Sequence, residues 1–322
     1  MPKSQWDIVA LAQEAPDLIL AWAAYHLNLG VRRINLFLDT SIPRVEAVLG
    51  NHPRVRLAVC DDAFWQNHPA GARPPKQGPR QKAILQDVVD HSTADWVFHI
   101  DVDEFLWTPD DLDELLAAQP PEIEHVATRA QERVYLGPPD PGNIFDGAFR
   151  VQTTRRYLED AEAADGAATP YLQRGMTAYC GGKSAFRPRI GLAVGIHGPK
   201  PPKPATGRLL DTLDLLHFDG LTPKHWVYKR LRLLRQQPNA RRNETEHRQR
   251  QLLKMDTLQG DPEALREFYL LLKQYTPERA GTLEAMGLLK THAFDPTIGI
   301  ATEFPGVDLD LSMDAFDTFK IA

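Results

Sequence analysis

The sequence predicts an α/β fold: a mostly parallel sheet flanked by helices, with a helical extension at the C-terminal end. Three observations predict it. Strand and helix patterns alternate over the first hundred residues in a βαβαβαβ order, the order that builds a parallel sheet. A buried-looking strand from Trp96 runs into the acidic stretch Asp101-Val102-Asp103-Glu104. Beyond Thr222 the apolar spacing becomes helical and the chain basic. The expected division is a sheet domain over residues 1–222 and a helical extension over 223–322.

Each element has its own signal. Asp7 to Ala12 is a short apolar strand. Pro16 and Asp17 open a helix in which Leu18, Trp22, Tyr25 and Leu29 recur at helical spacing, and Gly30 closes it. Arg33 to Asp39 is the second strand, Pro43 to Leu49 a short helix, and Val55 to Val59 the third strand. The Pro/Gly-rich loop from Asn67 to Pro79 is longer than a plain connector needs, which marks it as a functional loop. Arg80 to His91 is helical, and the strand carrying the acids follows. A short helix runs from Pro109 to about Ala118, residues 124 to 180 are β-rich and irregular, and the acidic Glu159–Ala168 stretch reads as an exposed loop. Gly181-Gly182 is a turn, and Leu209 to Phe218 is a further apolar strand. The basic residues Lys224, Lys229, Arg230, Arg232, Arg235, Arg241, Arg242, Arg248 and Arg250 crowd one helical region.

Composition excludes several classes. A chain of 322 residues with 43% hydrophobic and 25% charged residues is an ordinary globular protein. The net charge of −6 argues against a nucleic-acid binder. Cys60 and Cys180, far apart in sequence, fit neither a disulfide framework nor a zinc site. No apolar run approaches the roughly 20 residues of a membrane span, and the N-terminus has no signal pattern, so a cytoplasmic location is the expectation. The basic helical segment leaves peripheral membrane contact open.

The acids carry the chemistry. In a strand, Asp101 and Asp103 would point to the same side, since side chains alternate with a period of two. Two carboxylates that close repel unless a cation lies between them, and hard oxygen donors favour Mg²⁺ or Mn²⁺. Ligands of parallel α/β sheets bind beyond the carboxyl ends of the strands, so Asp39, after the second strand, would face the same crevice.

Four ordered segments resemble bacterial family-2-like glycosyltransferases. They are Gln13-Glu14 with Trp22-Ala-Ala-Tyr25-His26 and Leu36-Phe-Leu-Asp39; Asp95 to Phe105; Lys183-Ser184 with Arg187-Pro188 and His197-Gly-Pro-Lys200; and Leu216-His217-Phe218 with Lys229-Arg230. The resemblance spans roughly residues 5 to 235. It departs from the pattern at Gln13 and at Thr40-Ser41-Ile42-Pro43, both beside the nucleotide pocket. The resemblance implies a GT-A fold, a divalent Mn²⁺ or Mg²⁺ and a nucleotide-diphosphate sugar donor, with a UDP-sugar as first choice. The acceptor it implies is a glycan or lipid-linked sugar, and the transfer inverts.

On that reading Asp103 is the direct metal ligand, Asp101 acts through water or the ribose, and His217 is a third ligand. Glu14 and Asp39 hold the base and ribose by accepting hydrogen bonds. Gln81 and Lys82 lie on a helix passing the same pocket, and Lys183 and His197 line the sugar or acceptor side. Lys229 and Arg230 neutralise the departing diphosphate. Asp146 and Glu132 are the candidate general bases, and Glu104 orients Asp103 or contacts the acceptor. Two other readings of the same acids are a Mg²⁺-dependent phosphotransferase or phosphohydrolase with Asp101 as nucleophile, and a non-catalytic GT-A-like binding module.

Overall fold

The computed structural model describes residues 3–202, 205–236 and 244–321. The first elements in chain order are β1 (Trp6–Ala12), α1 (Pro16–Asn28), β2 (Arg33–Leu38), α2 (Pro43–Leu49), β3 (Val55–Val59), α3 (Asp62–Asn67), α4 (Gln77–His91), β4 (Trp96–His99), β5 (Glu104–Trp107) and α5 (Leu112–Ala117). Next come β6 (His125–Val134), β7 (Ala148–Val151), α6 (Leu158–Asp165), β8 (Ser184–Phe186), β9 (Val194–Gly195), β10 (Gly198–Pro199) and β11 (Gly207–His217). The chain ends with α7 (Pro223–Gln236), α8 (Glu246–Thr257), α9 (Pro262–Lys273), α10 (Pro277–Ala285), β12 (Leu289–Lys290), α11 (Ile300–Glu303) and α12 (Met313–Ile321). Arg241 and Arg242 of the basic run lie outside the described residues.

The chain forms two compact units, each drawn from three stretches of sequence. The first holds residues 1–129, 181–215 and 295–309; the second holds 130–180, 216–294 and 310–322. The class is mixed α/β, with a mostly parallel sheet flanked by helices.

In the first unit β1 pairs in parallel with β2 and with β4, and β2 pairs in parallel with β3. The strand order is therefore β3-β2-β1-β4, and the direction of growth reverses between β1 and β4. Such a reversal opens a crevice at the carboxyl ends of the two strands. Antiparallel β8 closes the β4 side and pairs in turn with His125–Ala127 of β6. All seven residues of β1 are buried, as a strand covered on both faces requires. Its Val9 and Leu11 join Phe37 of β2, Val97 of β4 and the inner face of α4 (Ile84, Leu85, Val88, Val89) in one core cluster. Fully burying side chains of this kind stabilises by about 1.5–3 kcal/mol each.

The second unit holds the other half of β6, antiparallel to β7, with β12 on the far side of β7. Its core gathers Tyr135, Trp226, Met255, Phe268, Tyr269 and Leu272. Arg133, fully buried, donates to the carbonyls of Ile144, Asp146, Gly220 and Leu221 and so fastens two loops to β6.

Three expectations are corrected. The loop expected over Asn67 to Pro79 is shorter, because α4 already begins at Gln77, and an unexpected helix, α3, capped by the Asp61 carboxylate on the Phe64 N–H, precedes it. The stretch Glu159–Ala168 is not an exposed loop: α6 and a following 3₁₀ turn bury Ala161, Asp165 and Ala168. The cause is Asp165, which is paired with Arg279 at 2.8 Å and lies 3.5 Å from Arg150, so the helix is held inward by charge. Third, β4 stops at His99, so Asp101 and Asp103 occupy a turn and the alternation of a strand does not orient them.

Candidate functional site

The acidic turn is closed from both sides. The Glu104 N–H donates to the Asp101 carbonyl at 3.0 Å, and the Asp101 N–H donates to Oε2 of Glu104 at 2.8 Å. Glu104 thus fixes the turn that presents Asp101. Asp103, within the turn, is buried.

Helix α1 holds the turn from behind. Trp22, Tyr25 and His26 stand on one helical face at i, i+3 and i+4 spacing. The Trp22 indole donates to the Glu104 carbonyl at 3.0 Å, and the Tyr25 hydroxyl donates to the Leu106 carbonyl at 2.9 Å. His26 accepts from the Leu106 N–H at 3.3 Å while its Nδ1 lies 2.8 Å from the Trp22 carbonyl. That pattern requires the neutral ring protonated at Nδ1. Burial indeed lowers the His26 pKa to about 3. Phe105 stacks on the same histidine, with ring centroids 5.7 Å apart.

In front of the turn lies Lys183. Its ammonium is 2.7 Å from Oδ2 of Asp101 and 3.2 Å from Oε2 of Glu104, and its side chain is only 2% exposed. Gln81 on α4 donates to the other Asp101 oxygen at 2.6 Å. Burial alone would lower the Lys183 pKa, but the Asp101 and Glu104 carboxylates outweigh it and the net shift is upward. His99, 3.5 Å from the ammonium, has its pKa lowered to about 3 by burial and by Lys183, and is neutral. The Lys183 backbone is fixed to Thr128: the Thr128 N–H donates to the Lys183 carbonyl at 2.9 Å, and the Lys183 N–H to the Thr128 hydroxyl at 3.0 Å. This close approach needs Gly182, where a Cβ would lie 2.1 Å from the Thr128 carbonyl oxygen.

Asp39 follows β2 and is buried between two guanidiniums, Arg80 at 2.8 Å and Arg73 at 2.8 Å. Arg80 also donates to the carbonyls of Pro74 and Pro75, so the Pro/Gly-rich loop is ordered around Asp39. Glu14, just after β1, is half-buried. The structure thus brings Gln81, Asp101, Glu104 and Lys183 into one cluster, and adds Arg73 and Arg80 to Asp39. Lys82 is exposed on α4 and joins neither group. His197 is exposed between β9 and β10, its Nδ1 3.2 Å from the Gly182 carbonyl.

The remaining expected residues belong to the second unit. Glu132 is buried and takes three hydrogen bonds, from the Thr177 N–H, the Thr177 hydroxyl and the Ala178 N–H, with Lys273 at 3.2 Å. Arg230 is paired with Asp219 at 2.9 Å. Burial opposes the Asp219 charge, but Arg230, Lys273, His217 and Lys229 outweigh it and its pKa is lowered. The three basic residues expected at a diphosphate or metal therefore act on Asp219. Asp146 accepts one long bond, 3.4 Å, from the Asp140 N–H.

Sequence reading missed Arg73, Arg80, Thr177, Asp219 and Lys273. Asp219 alone had a signal, its place two residues after His217 and just before Gly220, whose φ is +73°. As arranged, the side chains do not fit a resident metal. Both Asp101 oxygens face N–H donors, and among the described residues no three His, Cys, Asp or Glu side chains gather as a ligand set. Cys60 and Cys180 are both free thiols.

No protein-family model and no curated protein matches the chain. Among solved structures it is similar to HddC from Yersinia pseudotuberculosis, at 9% identity and a TM-score of 0.37, over 70% of this chain and 97% of that one.

Proposed function

We propose that this chain is a glycosyltransferase of GT-A type that moves a sugar from a nucleotide-diphosphate donor, a UDP-sugar first among them, to a glycan or lipid-linked acceptor. The observation that carries this reading is the closed Asp101–Glu104 turn after β4, beside the point where the strand order reverses. Glu14 and Asp39, after the two neighbouring strands, supply acceptors for the N–H and O–H groups of a nucleoside. Arg73 and Arg80 beside Asp39 add positive charge suited to phosphate oxygens.

In the reaction the acceptor hydroxyl attacks the anomeric carbon in line, the bond to the diphosphate breaks, and the configuration inverts. The hydroxyl proton passes to a carboxylate. Asp146, Glu132 and Glu104 are the candidates; each accepts a backbone N–H, and amide substitution of each in turn tests it.

Calorimetric titration of UDP, GDP and CMP, each with and without Mn²⁺, tests the reading on the wild type and on Asp103→Ala. One nucleotide should bind, and the variant should weaken it by about tenfold or more, about 1.4 kcal/mol. With a bound donor, turnover should release nucleoside diphosphate. Release of inorganic phosphate would favour a phosphotransferase, and no nucleotide binding at all would remove the proposal.

A further inference from the structure

We propose that Lys183 is the resident cation of the acidic turn, and that its ammonium keeps a divalent ion off Asp101 until a donor's diphosphate supplies further oxygen ligands. The second half of this statement rests on the function proposed above; the first half does not.

Two carboxylates joined through one short turn attract a cation, and here one is built in. The ammonium contacts Asp101 at 2.7 Å and Glu104 at 3.2 Å. It cannot drift off with its backbone, because three hydrogen bonds join the Lys183 backbone to Thr128 and Gly182 is pressed against the Thr128 carbonyl. The other Asp101 oxygen receives the Gln81 amide N–H at 2.6 Å, a donor where a metal would need an open lone pair. His99 Nδ1 lies 3.5 Å from the ammonium. Mg²⁺ and Mn²⁺ require several oxygens in near-octahedral array, which Asp103 alone does not provide. Phosphate oxygens of a donor would add the ligands that the turn lacks.

The experiment is a Mn²⁺ titration of the nucleotide-free protein, read as loss of the free-ion electron paramagnetic resonance signal. Wild type should bind Mn²⁺ weakly, and Asp101→Asn should leave that affinity within about twofold. Lys183→Met, which removes the charge and keeps the length, should bind Mn²⁺ at least about tenfold more tightly, because Asp101 and Glu104 lose the ammonium they share. The gain should vanish in the Lys183→Met/Asp101→Asn double variant. Tight binding by nucleotide-free wild type that Asp101→Asn abolishes would overturn the proposal, as would a folded Lys183→Met with no gain. Should Lys183→Met fail to fold, the wild-type and Asp101→Asn pair decides by itself. Adding UDP should tighten Mn²⁺ binding by wild type. Failure of UDP to bind in any form would strike the donor reading and leave the nucleotide-free comparison to judge Lys183.

Discussion

Arg80 on the first turn of α4 donates to Oδ2 of Asp39 at 2.8 Å, tying the helix to the end of β2. Arg73 meets the other oxygen at 2.8 Å from the loop. The two pairs differ in burial: the Arg80 side chain is 9% exposed and that of Arg73 is 39%. That difference decides their energetic weight.

Arg80→Met leaves a buried carboxylate with one partner and strands the Pro74 and Pro75 carbonyls. The expected loss is about 3 kcal/mol, the lower end for breaking a buried pair, because Arg73 remains. Arg73→Ala should cost under about 1 kcal/mol, as half-exposed pairs do. Urea unfolding of both variants checks this; equal shifts in midpoint would show that Arg73 shares the load.

Glu132 and Lys273 form a second buried pair, 3.2 Å apart. Burial lowers the Lys273 pKa even though Glu132 and Asp219 act to raise it. Glu132→Gln should destabilise by about 3–5 kcal/mol, since Lys273 loses its nearest counter-charge. Glu132→Gln/Lys273→Met should recover part of that loss. A Glu132→Gln protein that melts like wild type yet loses the acidic limb of its pH–rate profile would instead identify Glu132 as the general base.

His26 and His99 make stability fall with acid. Both have folded pKa values near 3 against an ordinary 6.5, and burial is the main cause. Between those values the unfolded chain binds the extra protons, so stability is lost as the pH drops from about 6.5 toward 3. Each histidine contributes a slope of up to about 1.4 kcal/mol per pH unit. His99→Gln should flatten the fall in urea midpoint between pH 7 and pH 4.5. An unchanged slope would mean that His99 does not titrate with unfolding.

Much of the first unit was legible because its signals are local. The strands of β1 to β4 and helices α1, α2 and α4 follow from apolar runs, Pro at helix starts and Gly30 at the end of α1. Trp22 and Tyr25 stand out at helical spacing and His26 in the family resemblance, but their partners on β5 lie about eighty residues away in sequence. The acids are legible in sequence but their geometry is not, since β4 ends at His99 and four residues of irregular backbone precede β5. Asp165 explains the other misreading: a charged, Ala-rich stretch looks solvated until two arginines bury it.

The α/β class and the acids that follow the parallel strands are legible in the chain alone, because hydrophobic periodicity and chain order are properties of neighbouring residues. Which charges meet depends on the fold. Lys183 meets Asp101 across 82 positions, Arg80 meets Asp39 across 41, and the residues of the second unit come from three separate stretches. A charge carries no address along the chain, so its partner is fixed only when burial removes water and leaves one counter-charge within reach.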